Sequence, residues 1–218
     1  MNTNYVKWHK QKDLEKIAAD LHVTYQCKVP IDIDYLVETM NLELCVINRL
    51  KEDFGLFGLL AKIKGKYVIF VGKGDFRLTN YSTNFTIAEE LSHYILHKQY
   101  FKNVRNIDEA VDFFEKTVSQ QSEMMIEFNA KYLAGAILLP AEDLKDRSEE
   151  VYLGKKSTIA AVMKTAKDDD ICDAVIDGIA SSLTDVYRVP DRDISYRLRS
   201  QAIGFKNFVQ REYKQCQL

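Results

Sequence analysis

Four ionisable residues share one face of a helical stretch that is otherwise largely apolar. The stretch reads FTIAEELSHYILH over residues 85–97 and contains Glu89, Glu90, His93 and His97. Residues four apart on an α-helix project about 40° from one another, so these side chains form a single stripe. Because burying unpaired charges is costly, the stripe is either solvated, hydrogen-bonded within the core, or used for chemistry.

The spacing within this stripe is related to that of zinc peptidases. In their motif, His-Glu-x-x-His, two imidazoles bind the metal and the glutamate accepts a proton from the attacking water. The corresponding letters here are Glu89-Glu90-Leu91-Ser92-His93. The position of the general base and the second ligand position are therefore retained, whereas the first ligand has changed from histidine to glutamate.

The stretch resembles the motif helix of the ImmA/IrrE metallopeptidases, which typically reads FTIAHELGHYLLH. The resemblance continues in EFNAKYLAGAILLP (residues 127–140), which is similar to the family segment ExEANxFAxxLLMP. It also includes KVPIDIDYLVETMNLELCVI and VYRVPDRDISYRLRSQAIG, and so extends from about Asp13 to Gly204. It implies a zincin-like fold and assigns Glu127 as the third metal ligand.

The chain departs from the family pattern at four positions. Glu89 replaces the first histidine, Ser92 a usual glycine, Asn84 a frequent basic residue, and Lys131 a usual asparagine or aspartate. Of these four side chains, we expect only Glu89 to touch the metal directly.

Three arrangements of the site follow from these residues. In the first, Glu89, His93 and Glu127 bind Zn²⁺, or Mn²⁺ because oxygen ligands suit it, and Glu90 is the general base. In the second, metal is weak or absent, because adjacent carboxylates repel one another, and the protein is a catalytically inactive pseudopeptidase that binds a regulatory partner. In the third, His93 and His97 are the ligands; the resemblance instead makes His97 a hydrogen-bonding neighbour.

The elements that would position these residues predict an α+β fold with a small antiparallel sheet. Apolar spacing predicts helices over 10–21, 31–40, 85–97 and 108–139, the last ending before Pro140. Three short runs, separated by polar or glycine-containing breaks, predict strands over 42–47, 55–63 and 66–71. We expect the strand over 66–71 to be an edge strand that binds an extended substrate by β-augmentation.

The C-terminal part is predicted to be a helical region. A charged, loosely patterned stretch extends to about Lys156, and helical patterns follow over 157–167, 171–187 and 191–204. We therefore divide the chain into a metallopeptidase-like domain (1–140) and a helical C-terminal region (141–218). The patterns on either side of Val189-Pro190 also fit a helix-turn-helix, but the basic excess is mild and direct DNA binding is not expected.

Composition and charge narrow the class of protein. The 218 residues carry 30 Lys plus Arg against 32 Asp plus Glu, and this balance does not indicate a nucleic-acid or membrane partner. No run approaches about 18 apolar residues and the N-terminal stretch is polar, so we expect a cytoplasmic protein. The four cysteines form no Cys-x-x-Cys pair, which favours reduced thiols.

The resemblance also implies a biological setting. It predicts a bacterial or mobile-element protein whose substrate or binding partner is a repressor-type transcription regulator. Its activity would be that of a metallo-endopeptidase with an altered first ligand.

Overall fold

The structure, a computed structural model, describes residues 8–73, 81–112, 120–165 and 170–217. Parts of two predicted helices, residues 113–119 and 166–167, lie outside these ranges. The chain divides between Leu138 and Leu139 into two compact units.

The first unit combines helices with one small sheet. Its described helices are α1 Gln11–Thr24, α2 Ile33–Thr39, α3 Leu50–Phe54, α4 Tyr81–His97, α5 Ile107–Asp112 and α6 Gln120–Leu138, and its strands are β1 Glu43–Ile47, β2 Gly58–Ile63 and β3 Lys66–Gly72. A short 3-10 turn, Phe101–Asn103, follows α4. The α+β fold class predicted from the sequence, with a zincin-like core, is confirmed.

The sheet is mixed, and not wholly antiparallel as predicted. The strand order is β1-β3-β2; β2 pairs with β3 in antiparallel fashion, whereas β1 pairs with β3 in parallel. The β2–β3 turn uses Lys64 and Gly65, both with positive φ, as a tight hairpin requires. The chain reverses once through α3 and again at this hairpin, and β3 is thereby inserted beside β1.

The central position of β3 contradicts the expected substrate strand. Val68, for example, is matched with Glu43 on one side and with Ala61 on the other. Because the backbone groups of β3 pair with both neighbours, it has no free edge to which a peptide could add. The expectation that the strand over 66–71 binds substrate by β-augmentation is therefore wrong.

Helices α4 and α6 form the core beside this sheet. Helix α4 buries Ile87, Ala88 and Leu91, and α6 buries a series of apolar side chains at helical spacing, Ile126, Ala130, Leu133, Ala134 and Ile137. The alanines of α6 have little side-chain volume, which allows two helices to approach closely. Helix α1 is joined to α6 by hydrogen bonds, including one of 2.6 Å from the Tyr132 hydroxyl to Glu15 Oε1.

The second unit is entirely helical among its described residues. Its helices are α7 Ala141–Gly154, α8 Lys156–Thr165, α9 Asp170–Tyr187, α10 Asp191–Leu198 and α11 Phe205–Cys216. Helix α7 occupies most of the charged stretch up to Lys156, for which the sequence predicts no element. It buries only Leu144, Ser148 and Tyr152, which lie four residues apart on one face, so charged residues cover the rest and mask the apolar pattern.

Ion pairs engage one of the basic residues of the possible helix-turn-helix. Arg199 donates to Asp173 at 2.9 Å and to Asp177 at 2.8 Å. Helices α9 and α10 are joined by a short connection at residues 188–190, as the sequence pattern indicated. That this helix pair does not bind DNA directly stays a prediction. Arg199 already forms ion pairs with two carboxylates of the same unit.

None of the helices in the described ranges combines the length and hydrophobicity that a membrane span needs. All four cysteines are free thiols.

Candidate metal centre

Helix α4 presents the predicted ionisable stripe to the interior of the first unit. Glu90, His93 and His97 are all buried, and Glu89 is partly buried. The helix begins four residues before the predicted start, at Tyr81. The sequence therefore correctly located the stripe, and its solvated interpretation does not hold for these three buried side chains.

Helix α6 brings Glu127 to the same place. His93 Nε2 lies 3.5 Å from Glu127 Oε1. One ligand atom each from Glu89, His93 and Glu127 lies within 4.8 Å of the other two. The structure thus brings together the three residues that the sequence and the family resemblance nominated.

The donor set suits a divalent metal in both type and spacing. Zinc accepts imidazole nitrogen and carboxylate oxygen, and two donors at about 2.1 Å from a tetrahedral zinc are about 3.4 Å apart. The contact between His93 and Glu127 is already at that distance. The pKa of His93 is lowered to about 3, mainly by burial and further by the positive charge of Lys131. The ring is therefore neutral, as ligation requires.

The side chain of Glu90, the predicted general base, extends from α4 and contacts strand β2. The backbone N–H of Leu60 donates a hydrogen bond to its carboxyl group. Burial raises the pKa of Glu90 well above its ordinary value, and the charges of Glu89 and Glu127 raise it further. A carboxyl group whose pKa is shifted by its surroundings in this way is typical of a site for proton transfer.

A glycine makes room for this carboxyl group. A Cβ atom on Gly58 of β2 would lie 2.7 Å from Glu90 Oε1 and 2.7 Å from Thr86 Cγ2. Both distances are far shorter than van der Waals contact, so any side chain here would force Glu90 and Thr86, or β2 itself, to shift. No signal in the sequence points to Gly58, because its role depends on a contact between distant elements.

His97 contacts His93 and lies outside the group of three donors. The two Nδ1 atoms are 3.3 Å apart, so one ring donates a hydrogen bond to the other. If His93 Nε2 binds metal, the hydrogen of His93 is on Nδ1 and is donated to His97. This geometry matches the expected hydrogen-bonding role of His97. The three-donor group favours a metal site of Glu89, His93 and Glu127 over one made by His93 and His97.

We expect His97→Ala to weaken metal binding by about 10- to 100-fold, the usual effect of removing the partner that orients a ligating histidine. The affinity would be measured by competition with a chromophoric chelator. His22→Ala is a suitable control, because it also removes an imidazole, and His22, which lies 2.7 Å from the backbone oxygen of Ile137, is not one of the three candidate ligands. Equal affinities in wild type and His97→Ala would show that His97 does not orient His93.

Lys131 is a second residue that sequence reasoning missed. It is a departure from the family pattern, and of the departing residues only Glu89 is expected to touch the metal directly. Its Nζ lies 3.5 Å from Glu127 Oε2 and 3.7 Å from Glu89 Oε1. The available signal was the four-residue spacing from Glu127 to Lys131, which places an acid and a base on the same face of a helix.

The fold and the site together define a class of protein. An α+β core carries two helices, and these helices supply a buried glutamate and a cluster of one imidazole and two carboxylates, as in a zincin-like metallopeptidase. The family model of the IrrE N-terminal-like domain, Peptidase M78, matches residues 50–164, which is more than half of the chain. The protein belongs to this ImmA/IrrE family.

Comparison with solved structures agrees at the level of the fold. A Mycobacterium tuberculosis transcriptional regulator superposes with a TM-score of 0.52 at 13% sequence identity. The match covers 91% of this chain and 48% of that chain, so this protein spans about half of the regulator's length. Comparison with curated proteins gives no significant match.

Proposed function

We propose that this protein is a metal-dependent endopeptidase that acts on a repressor-type transcription regulator. One observation supports this most strongly: ligand atoms of Glu89, His93 and Glu127 lie within 4.8 Å of one another, and Glu90, the residue after Glu89, is buried beside them. Three metal donors with a neighbouring proton acceptor are the groups that metal-assisted hydrolysis of a peptide bond needs.

Each residue has a distinct role in this proposal. Glu89, His93 and Glu127 hold the metal, and Glu90 accepts the proton of the attacking water. A bound divalent cation would supply Lewis-acid activation of the water and of the peptide carbonyl. The pKa of Glu90, which burial and its acidic neighbours raise, would fall beside a cation, and Glu90 would then be ionised and able to accept a proton.

The donor set supports zinc as the metal, with manganese as the alternative. Zinc binds one histidine and two carboxylates at nearly equal distances. Oxygen-rich sites also suit Mn²⁺. The balance of two carboxylates against one imidazole is the reason to test both ions.

The first test is the metal content of protein purified without added metal or chelator, by elemental mass spectrometry. We expect about one equivalent per chain, because the three donors form a single cluster. The His93→Ala variant lacks the imidazole of this three-residue cluster and is expected to lose the bound metal. Protein that takes up neither zinc nor manganese after soaking would exclude the metallopeptidase proposal.

A second candidate function is that of a pseudopeptidase that binds its regulatory partner without cutting it. Two observations favour it: the first ligand is a glutamate, and Lys131 already contacts both carboxylates of the cluster. A cleavage assay distinguishes the two functions. Only the enzyme converts a purified repressor into fragments, and a chelator stops that reaction.

The proposed partner and location follow from the family to which the chain belongs. Membership of the ImmA/IrrE family supports a bacterial or mobile-element regulator as the substrate, and the similar fold of the Mycobacterium tuberculosis transcriptional regulator agrees with this setting. A cytoplasmic location fits such a partner. Co-purification of the Glu90→Gln variant with a repressor-type regulator from the same cells would test the pairing, and recovery of no such regulator would count against it.

A further inference from the structure

The candidate metal centre already contains a cation that belongs to the chain. The Lys131 ammonium group lies 3.7 Å from Glu89 and 3.5 Å from Glu127, which come from two different helices. Glu89 and Glu127 are the two carboxylates of the three-donor group. One lysine therefore bridges the same two side chains that would bind a metal ion.

The three side chains differ in how much of each is exposed to solvent. The side chain of Lys131 is 55% exposed, whereas those of Glu89 and Glu127 are 18% and 32% exposed. Two carboxylates that are largely removed from water, with the buried Glu90 beside them, need a neighbouring positive charge to limit their repulsion. The half-exposed lysine is free to swing into solvent, because its long stem is flexible.

We propose that Lys131 is a tethered counter-ion of the Glu89–Glu127 pair and that it competes with a divalent metal for these carboxylates. With no metal bound, Lys131 stabilises the cluster and joins α4 to α6. When a metal binds, the ammonium group withdraws, because a second cation so close to the ligands is repelled. Lys131 therefore lowers the metal affinity, and the site fills only when the free metal concentration is sufficiently high.

The test compares Lys131→Met with Lys131→Arg. Methionine has a similar length and helix propensity but no charge, and arginine keeps the charge. Zinc affinity would be measured by competition with a chromophoric chelator at constant pH and ionic strength. We expect Lys131→Met to bind zinc about tenfold more tightly, from the loss of one positive charge a few ångströms from a dication, and Lys131→Arg to bind like the wild type. Unchanged or weaker zinc binding by Lys131→Met would overturn the competition.

Thermal unfolding of the chelator-treated protein gives a second readout, which needs neither metal nor activity. We expect Lys131→Met to lower the melting temperature by about 2–4 °C. In a Glu89→Gln background, the same substitution should lower it less, because one of its two ionic partners is gone. If Lys131→Met lowers the melting temperature equally in both backgrounds, Lys131 is not a counter-ion of Glu89.

The affinity experiment rests on the proposed metal site, and the unfolding experiment does not. Failure of every variant to bind either zinc or manganese would reject both the metal site and the competition. A smaller melting-temperature loss in the Glu89→Gln background would then still support the counter-ion role. Zinc binding that is unaffected by Lys131→Met would instead leave the metal site intact and reject the competition alone.

Discussion

Glu90→Gln is expected to abolish cleavage of the regulator while leaving the metal content of the protein unchanged. Glutamine is isosteric with the protonated carboxyl group that burial favours here, and its side-chain oxygen can still accept the Leu60 N–H. It cannot accept a proton from the attacking water. Loss of a general base lowers the rate by about 10²- to 10⁴-fold. Fragment formation from a purified repressor, followed by mass spectrometry, measures this loss.

The control for this experiment is Glu38→Gln, the same change at an exposed position of α2. It should cleave at the wild-type rate. Glu90→Gln that cuts as fast as Glu38→Gln would exclude Glu90 as the base. If no variant cuts, including wild type loaded with zinc or manganese, the pseudopeptidase function is supported instead.

Gly58→Ala is the second substitution with a large expected effect. The added methyl group would lie 2.7 Å from both Glu90 Oε1 and Thr86 Cγ2, so either Glu90 moves or β2 separates from α4. Overpacking of this kind destabilises a protein by about 1–3 kcal/mol. We expect this loss in the free energy of unfolding, measured in urea, together with loss of cleavage because Glu90 is displaced.

Gly178→Ala provides the matched control. Gly178 lies within α9, and a Cβ there would meet no atom within 4 Å. Alanine is a better helix former than glycine by about 1 kcal/mol, so this variant should be as stable as the wild type or more so. If Gly58→Ala has wild-type stability and activity, the contact between β2 and Glu90 does not constrain the site.

The sequence was informative where the signal is local. The stripe on α4 depends only on the spacing of residues within one helix, and the structure contains it. Glu127 lies on a different helix, and no periodicity relates it to His93. Its nomination required the family resemblance, and the structure brings Glu127 within 3.5 Å of His93.

The sequence was misleading where the outcome depends on which elements meet. Residues 67–71 form a continuous apolar run, which is the pattern of a strand covered on both faces and leaves open whether that strand lies at an edge or in the centre of its sheet. Hydrophobicity does not report strand order, and the insertion of β3 between β1 and β2 is determined by the whole unit. Lys131 was missed for the same reason, since its contact with Glu89 crosses from α6 to α4.

The candidate metal centre also closes a loop of the chain. His93 and Glu127 meet although they are far apart in sequence, and the segment between them leaves α4 and returns on α6. The ligand set therefore exists only after α6 has docked, and a metal that binds the native state stabilises that docking by about 2.7 kcal/mol when its free concentration is 100 times its dissociation constant. Metal supply would then control how long helix α6 stays protected from hydrogen exchange and from proteolysis, as well as whether the site can work.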